Sequence, residues 1–106
     1  MKPHGNSLDN QNIHHLYEIF KIIDEDTYKY GITDDPIDSD GLSDRVRKQT
    51  IEMNRVVEYD KYAAQIRLTD IQGREEALHI ERDYIDAYYF KNGRNPVGNL
   101  TPKRKL

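Results

Sequence analysis

A glutamate, an arginine and a glutamine occupy positions that helical periodicity gives to a buried face. In ALHIERDYIDAYY, residues 77–89, a step of about 100° per residue places Ala77, Leu78, Tyr84, Ile85 and Tyr88 on one apolar arc. Glu81 falls near the middle of that arc, while His79, Arg82, Asp83 and Asp86 fall on the far side. In an earlier segment, residues 42–58, Leu42, Val46, Met53 and Val57 form a stripe. Gln49 lies inside it and Arg45 on its shoulder, whereas Arg47 and Lys48 point elsewhere. Leaving such groups unpaired beneath a packed face is costly. Two arrangements relieve the cost. One is an internal Arg45–Glu81 ion pair with a purely structural role. The other is a polar cleft in which both groups serve a ligand or a metal.

The elements that must position these residues follow from patterning. HLYEIFKII (15–23) is rich in aromatic and β-branched residues and reads as a strand. DED turns, and TYKYGI (27–32) reads as a second strand, with Tyr28, Tyr30 and Ile32 on one side and Lys29 and Gly31 on the other. The short connection implies a hairpin. TDDPIDSDG (33–41) is a loop of turn formers. The first helix follows over 42–58. YAAQIRL (62–68) alternates as a third strand, with Tyr62, Ala64, Ile66 and Leu68 to one side. The second helix runs from Arg74 to Tyr89 and is ended by Gly93 and Pro96. The order ββαβα predicts an α+β fold, a small three-stranded antiparallel sheet flanked by helices.

Composition bounds what these elements can build. The chain has 106 residues, 36% apolar and 33% charged, so it is one small domain with a lean core to which eight tyrosines contribute. There is no cysteine, which excludes disulfides and thiolate metal sites. No run of about 18 apolar residues is present, so no membrane partner is expected. The opening MKPHGNSLDNQN is polar and turn-rich, without the pattern of a signal peptide. Residues 1–13 read as a linker from a longer parent, 14–99 as the domain, and 100–106 as a loose basic tail. Net charge is −3 but uneven. Residues 1–44 hold 3 Lys/Arg and 10 Asp/Glu, and residues 45–106 hold 13 and 9. A polyanion could bind the basic half, although nucleic-acid binders usually show a plainly basic balance. The aspartates of 34–40 lack the spacing of a calcium loop and are expected to be solvated. His14 and His15 cannot share one strand face, so surface positions are expected, with His15 able to lie beside Tyr17.

HLY, then eleven residues, then KYG resembles the paired strand motifs of the GIY-YIG endonuclease superfamily. Leu42, Arg45 and Gln49 stand in the superfamily's L-x-x-R-x-x-x-H helix pattern, and Ala77, Leu78 and Glu81 in its A-L-x-x-E pattern. The resemblance spans 14–99. KPHGNS, GREEAL and NGRNPVGN further resemble C-terminal toxin modules of bacterial Rhs and polymorphic-toxin proteins. Departures stand inside the motifs: His15 and Leu16 replace Gly and Ile, Lys29 and Tyr30 replace Tyr and Ile, and Gln49 replaces His.

The resemblance implies a metal-dependent endonuclease toxin domain that hydrolyses phosphodiester bonds, with DNA favoured over RNA. Tyr17, Lys29, Arg45 and Glu81 would be catalytic, Glu81 the ligand of Mg²⁺ or Mn²⁺. Arg45, Gln49, Asn99 and His15 would contact nucleic acid. Tyr17 would activate water, and Lys29 would stand in for the missing tyrosine. A parent of this kind is exported and acts in the cytoplasm of a target cell, and a cognate immunity protein restrains it. The alternative is a non-catalytic nucleic-acid-binding or protein-interaction module on the same scaffold.

Overall fold

The computed structural model describes residues 8–99. Most of the expected linker and the whole basic tail lie outside the described residues. The elements are β1 (Ile13–Lys21), β2 (Thr27–Thr33), α1 (Asp44–Val57), β3 (Tyr62–Gln72) and α2 (Arg74–Asn92), with a 3-10 turn at Val97–Asn99. The three strands form one antiparallel sheet in the order β2-β1-β3. This is the expected ββαβα arrangement. Residues 10–12 belong to the folded body rather than to a linker. The side chains of Asn10 and Asn12 both donate to Asp34, and the Asn10 carbonyl accepts from the Arg74 N–H at 2.9 Å.

β1 is the middle strand and is covered on both sides. Tyr17 and Ile19 pack against Val46 of α1, with Met53, Tyr62, Ala64 and Ile66 around them. Leu16 and Tyr30 pack on the other side against Ala77, Ile85 and Tyr88 of α2. Residues 14–19 are consequently buried without alternation. That is why His14 and His15 are not surface residues: they are 1% and 8% exposed. His14 Nδ1 donates to the Asn12 carbonyl at 2.7 Å, and His15 Nδ1 accepts from the Asp70 N–H at 3.2 Å. Glu18, 5% exposed, is likewise provided for. The Thr27 hydroxyl and Gln65 Nε2 donate to it, and Arg67 lies 3.4 Å away.

The strand phases differ from simple alternation where the ladders shift register. The β1–β2 register pairs Ile19 with Lys29 and Phe20 with Thr27, leaving Tyr28 as an extra residue. A bulge turns the side chains beyond it to the other face. Tyr28 therefore packs with the α1 cluster, edge-on to Tyr62 at 5.1 Å, while Tyr30 and Ile32 join the α2 cluster. β3 does not stop at Leu68. It shifts register near Leu16 and continues to Gln72, which brings Ile71 into the α2 cluster. β1 ends at Lys21 rather than at residue 23, because the hairpin closes there: the Lys21 N–H donates to the Asp26 carbonyl. Ile22 and Ile23 are left exposed in the turn.

The helix ends follow local chemistry. The Ser43 hydroxyl accepts the Val46 N–H at 3.3 Å and caps α1. Gly93, at φ 74°, closes α2 by donating its N–H to the Tyr89 carbonyl at 2.7 Å. Beyond it the chain returns to β2, whose outer edge would otherwise stand open. Asn99 Oδ1 accepts the Tyr30 N–H at 2.8 Å, and its Nδ2 donates to the Tyr30 carbonyl at 2.9 Å. One amide thus replaces the missing neighbour strand. Asn99→Ala should lose both bonds, lowering stability by about 1–2 kcal/mol. Hydrogen exchange at the Tyr30 amide should accelerate. Unchanged exchange there would show that Asn99 does not close the edge.

Candidate active site

Tyr17 sits at mid-strand in β1, paired with Gly31 of β2. A Cβ at position 31 would stand 2.3 Å from Tyr17 Cζ and 2.4 Å from its hydroxyl. Glycine is therefore the residue that lets the phenol pass across β2. The hydroxyl emerges to donate to Gln49 Oε1 of α1 at 3.0 Å. The strand pair and the first helix are joined by this contact. Burial raises the phenol's pKa; Arg45 opposes the shift and Glu81 adds to it. Tyr17 is thus a protonated hydrogen-bond donor. Its oxygen keeps lone-pair capacity for water.

Lys29 lies two residues before Gly31, half-buried on the edge strand. Burial lowers its pKa, the Glu81 carboxylate counters, and the Arg45 guanidinium lowers it further. Its charge environment therefore joins α1 to α2. Arg45 stands in the first turn of α1, its backbone N–H capped by Asp35 Oδ2 at 3.0 Å. Its side chain is exposed and, among the described residues, has no ion pair. Arg47, two residues on, is the opposite case. It binds Asp38 at 3.0 Å, Asp40 at 2.9 Å and Asp44 at 3.4 Å, and so fastens the acidic loop to the helix.

Glu81 is where the helical wheel puts it, in the row of Ala77, Ile85 and Tyr88. Burial raises its carboxyl pKa; Lys29, Arg74 and Arg82 act against the shift. Among the described residues no ion pair or hydrogen bond reaches its carboxylate, and the internal Arg45–Glu81 pair is not formed. A half-buried, unpaired carboxylate fits a hard cation chemically. Among the described residues no group of three His, Asp or Glu side chains could hold a metal, so Glu81 would be a single protein ligand, with water and phosphate oxygens completing the shell.

Tyr17, Lys29, Arg45, Gln49 and Glu81 are therefore brought together from four elements. His15 and Asn99 are occupied otherwise, by the Asp70 N–H and the Tyr30 backbone. Arg74 was not anticipated. It acts on Glu81, and its Nε is buried without a hydrogen-bond partner among the described residues. The signal was available, since Arg74 stands seven residues before Glu81 and so on the same helical face.

A sequence model for URI fold toxin 2 matches residues 7–93. The chain belongs to the URI fold toxin 2 family. The match runs from before β1 to the end of α2, so the five clustered residues and Arg74 all lie within the toxin domain, while Asn99 lies beyond it. No curated protein and no solved structure matches the chain.

The raised carboxyl pKa of Glu81 has a consequence for the toxin domain's stability. The folded state takes up this proton more readily than the unfolded one. The group's contribution is therefore present at low pH and lost as pH rises from the ordinary 4.5 through the raised value. Glu81→Gln should remove that part of the pH slope and stabilise the metal-free domain at neutral pH. Urea midpoints at pH 5 and 7, in chelator, measure this. A variant less stable than the parent at pH 7 would mean that the carboxylate is structurally satisfied.

Proposed function

We propose that this toxin domain is a metal-dependent endonuclease that hydrolyses phosphodiester bonds of nucleic acid, DNA in the first place. The observation that carries the reading is the set of functional groups held close together but not neutralising one another: Arg45, Lys29 and Glu81 around the Tyr17–Gln49 bond. A domain built only for stability would pair such charges. The resemblance of HLY and KYG to the GIY-YIG motifs supports the same reading.

The chemistry divides among this chain's residues. Arg45, exposed and unpaired, offers a fork that matches two phosphate oxygens and stabilises the charge gathering on phosphorus. Tyr17 orients the attacking water through its hydroxyl, which Gln49 holds in place. Lys29, its pKa lowered by burial, stands beside Tyr17 as the group that would accept the water's proton. Gln49 cannot take it, because an amide does not titrate in this range. A divalent cation held by Glu81 would supply Lewis acidity at the phosphoryl and leaving oxygens.

The natural setting on this reading is a module exported on a larger bacterial protein and acting on the nucleic acid of a target cell. A cognate immunity protein would present acidic groups to the basic side near Arg45. The rival docking place, the 33–41 loop, is less attractive for a basic partner, since Asp38 and Asp40 are already engaged by Arg47.

The deciding experiment incubates the purified domain with plasmid DNA and with total RNA, with Mg²⁺ and with chelator. Cutting should require the cation, and Glu81→Gln should abolish it while the fold persists. Full activity in excess chelator sinks the metal-dependent reading; no activity on either polymer, with binding retained, favours a non-catalytic module. A second comparison separates neighbouring arginines. Arg45→Ala should lower turnover by about 10²–10³-fold, the scale of a lost oxyanion donor, at an unchanged melting temperature. Arg47→Ala should lower the melting temperature and leave most turnover. Equal turnover in the two variants would remove Arg45 from the site.

A further inference from the structure

Away from Tyr17 and Glu81, a cleft of about 610 Å³ opens between the β1–β2 turn and the C-terminal half of α2. None of the residues of the candidate active site lines it. Its walls include Tyr30, Tyr84 and Tyr88, the carboxylates Asp24, Glu25, Asp26 and Asp83, and the cation Lys91. We propose that this cleft is a second binding surface, which receives an arginine side chain presented by a folded protein partner.

Three observations carry this. The first is that the wall already holds guanidinium groups of this chain. Arg94 lies 5.4 Å above the Tyr88 ring and pairs with Asp26 at 3.1 Å. Arg67 lies 6.0 Å over the Tyr84 ring. A tyrosine face beside a carboxylate is the pairing that favours arginine over a compact ammonium. The second is that capacity remains. Asp26 is occupied by Arg94 and by the Tyr88 hydroxyl at 2.7 Å, and Asp24 by Lys21 at 3.2 Å. Among the described residues the side chains of Glu25 and Asp83 have no hydrogen bond or ion pair. Glu25 is moreover kept at φ 58°, where a glycine or asparagine would sit at less cost.

The third observation selects a protein rather than a free cation. Ile22 and Ile23 precede Asp24 in the same turn and are 48% and 91% exposed. A small cation has no use for exposed isoleucines in the turn that carries these carboxylates, whereas an arginine flanked by apolar side chains can engage both. A partner at the Arg45 side would have to be acidic, so the two surfaces ask for different chemistry. This inference does not depend on the domain's being a nuclease.

The test titrates the ¹⁵N-labelled domain with three blocked probes: the peptide Leu-Arg-Leu, its citrulline counterpart, and arginine amide alone. The arginine peptide should give saturable shifts at the amides of Glu25, Thr27, Asp83 and Ala87. The citrulline peptide, equal in shape but uncharged, should bind roughly tenfold more weakly or worse, the worth of a charge-assisted contact. Glu25→Gln combined with Asp83→Asn should weaken the arginine peptide to a similar degree, with the rest of the spectrum unchanged. Equal binding of the citrulline peptide, or shifts confined to residues 33–41, overturns the assignment. Binding of arginine amide as tight as that of the peptide makes this a small-cation site and overturns the protein partner. Should the double variant not fold, Glu25→Gln alone and the citrulline peptide still decide.

Discussion

A phenol ring crosses the sheet where only glycine leaves room for it. Tyr17 is anchored in the most buried strand, yet its hydroxyl must reach a helix that follows the neighbouring strand. Gly31 provides the passage, and Gln49 Oε1 accepts the hydroxyl's hydrogen bond at 3.0 Å. Much else depends on that single contact. It requires β1 and β2 to be in the register that sets Tyr17 against Gly31, and it requires α1 to present Gln49 one turn beyond Arg45. The Ser43 cap and the Asp35 bond to the Arg45 N–H fix where that helix begins, and with it the angle at which Arg45 and Gln49 point.

The charges around this contact are arranged against the ordinary tendency of opposite charges to pair. Arg45 and Glu81 act on Lys29 and on Tyr17, and Lys29 on Glu81, but no ion pair among the three is formed. Burial pushes the Glu81 carboxyl up and the Lys29 ammonium down, which is the direction in which each loses its charge. Groups left in that condition cost the fold stability. Elsewhere the molecule does pair its charges. Arg47 gathers three aspartates, and Glu18 is enclosed by Thr27, Gln65 and Arg67. The contrast between satisfied and unsatisfied polar groups separates the framework from the site more clearly than burial does.

The uneven charge of the two halves of the chain also takes on a different meaning in three dimensions. The acidic first half is not a uniform acidic surface. Asp34 is held by Asn10 and Asn12, which keep its carboxyl below the usual range, and Asp40 is held down by Arg47. At the β1–β2 turn Asp24 and Asp26 are likewise paired, with Lys21 and Arg94, and among the described residues Glu25 has no ion pair.

Periodicity alone determined the order ββαβα and singled out Glu81, because a helical wheel depends only on spacing within one element. It also ranked Arg45 above Arg47, for the same reason. It did not determine which strand would be central, and so it misplaced His14 and His15. Burial on both faces is a property of a strand's neighbours, not of its own residues. Nor did it contain the bulge at Tyr28 or the register shift that carries β3 on to Gln72, since an extra residue in a ladder shows itself only against the partner strand. Whether Arg45 and Glu81 pair was equally out of reach of spacing, which gives the face of each helix but not the distance between two of them. Tertiary structure sets the two helices on opposite sides of β1, where both charges act on Lys29 and no Arg45–Glu81 ion pair forms.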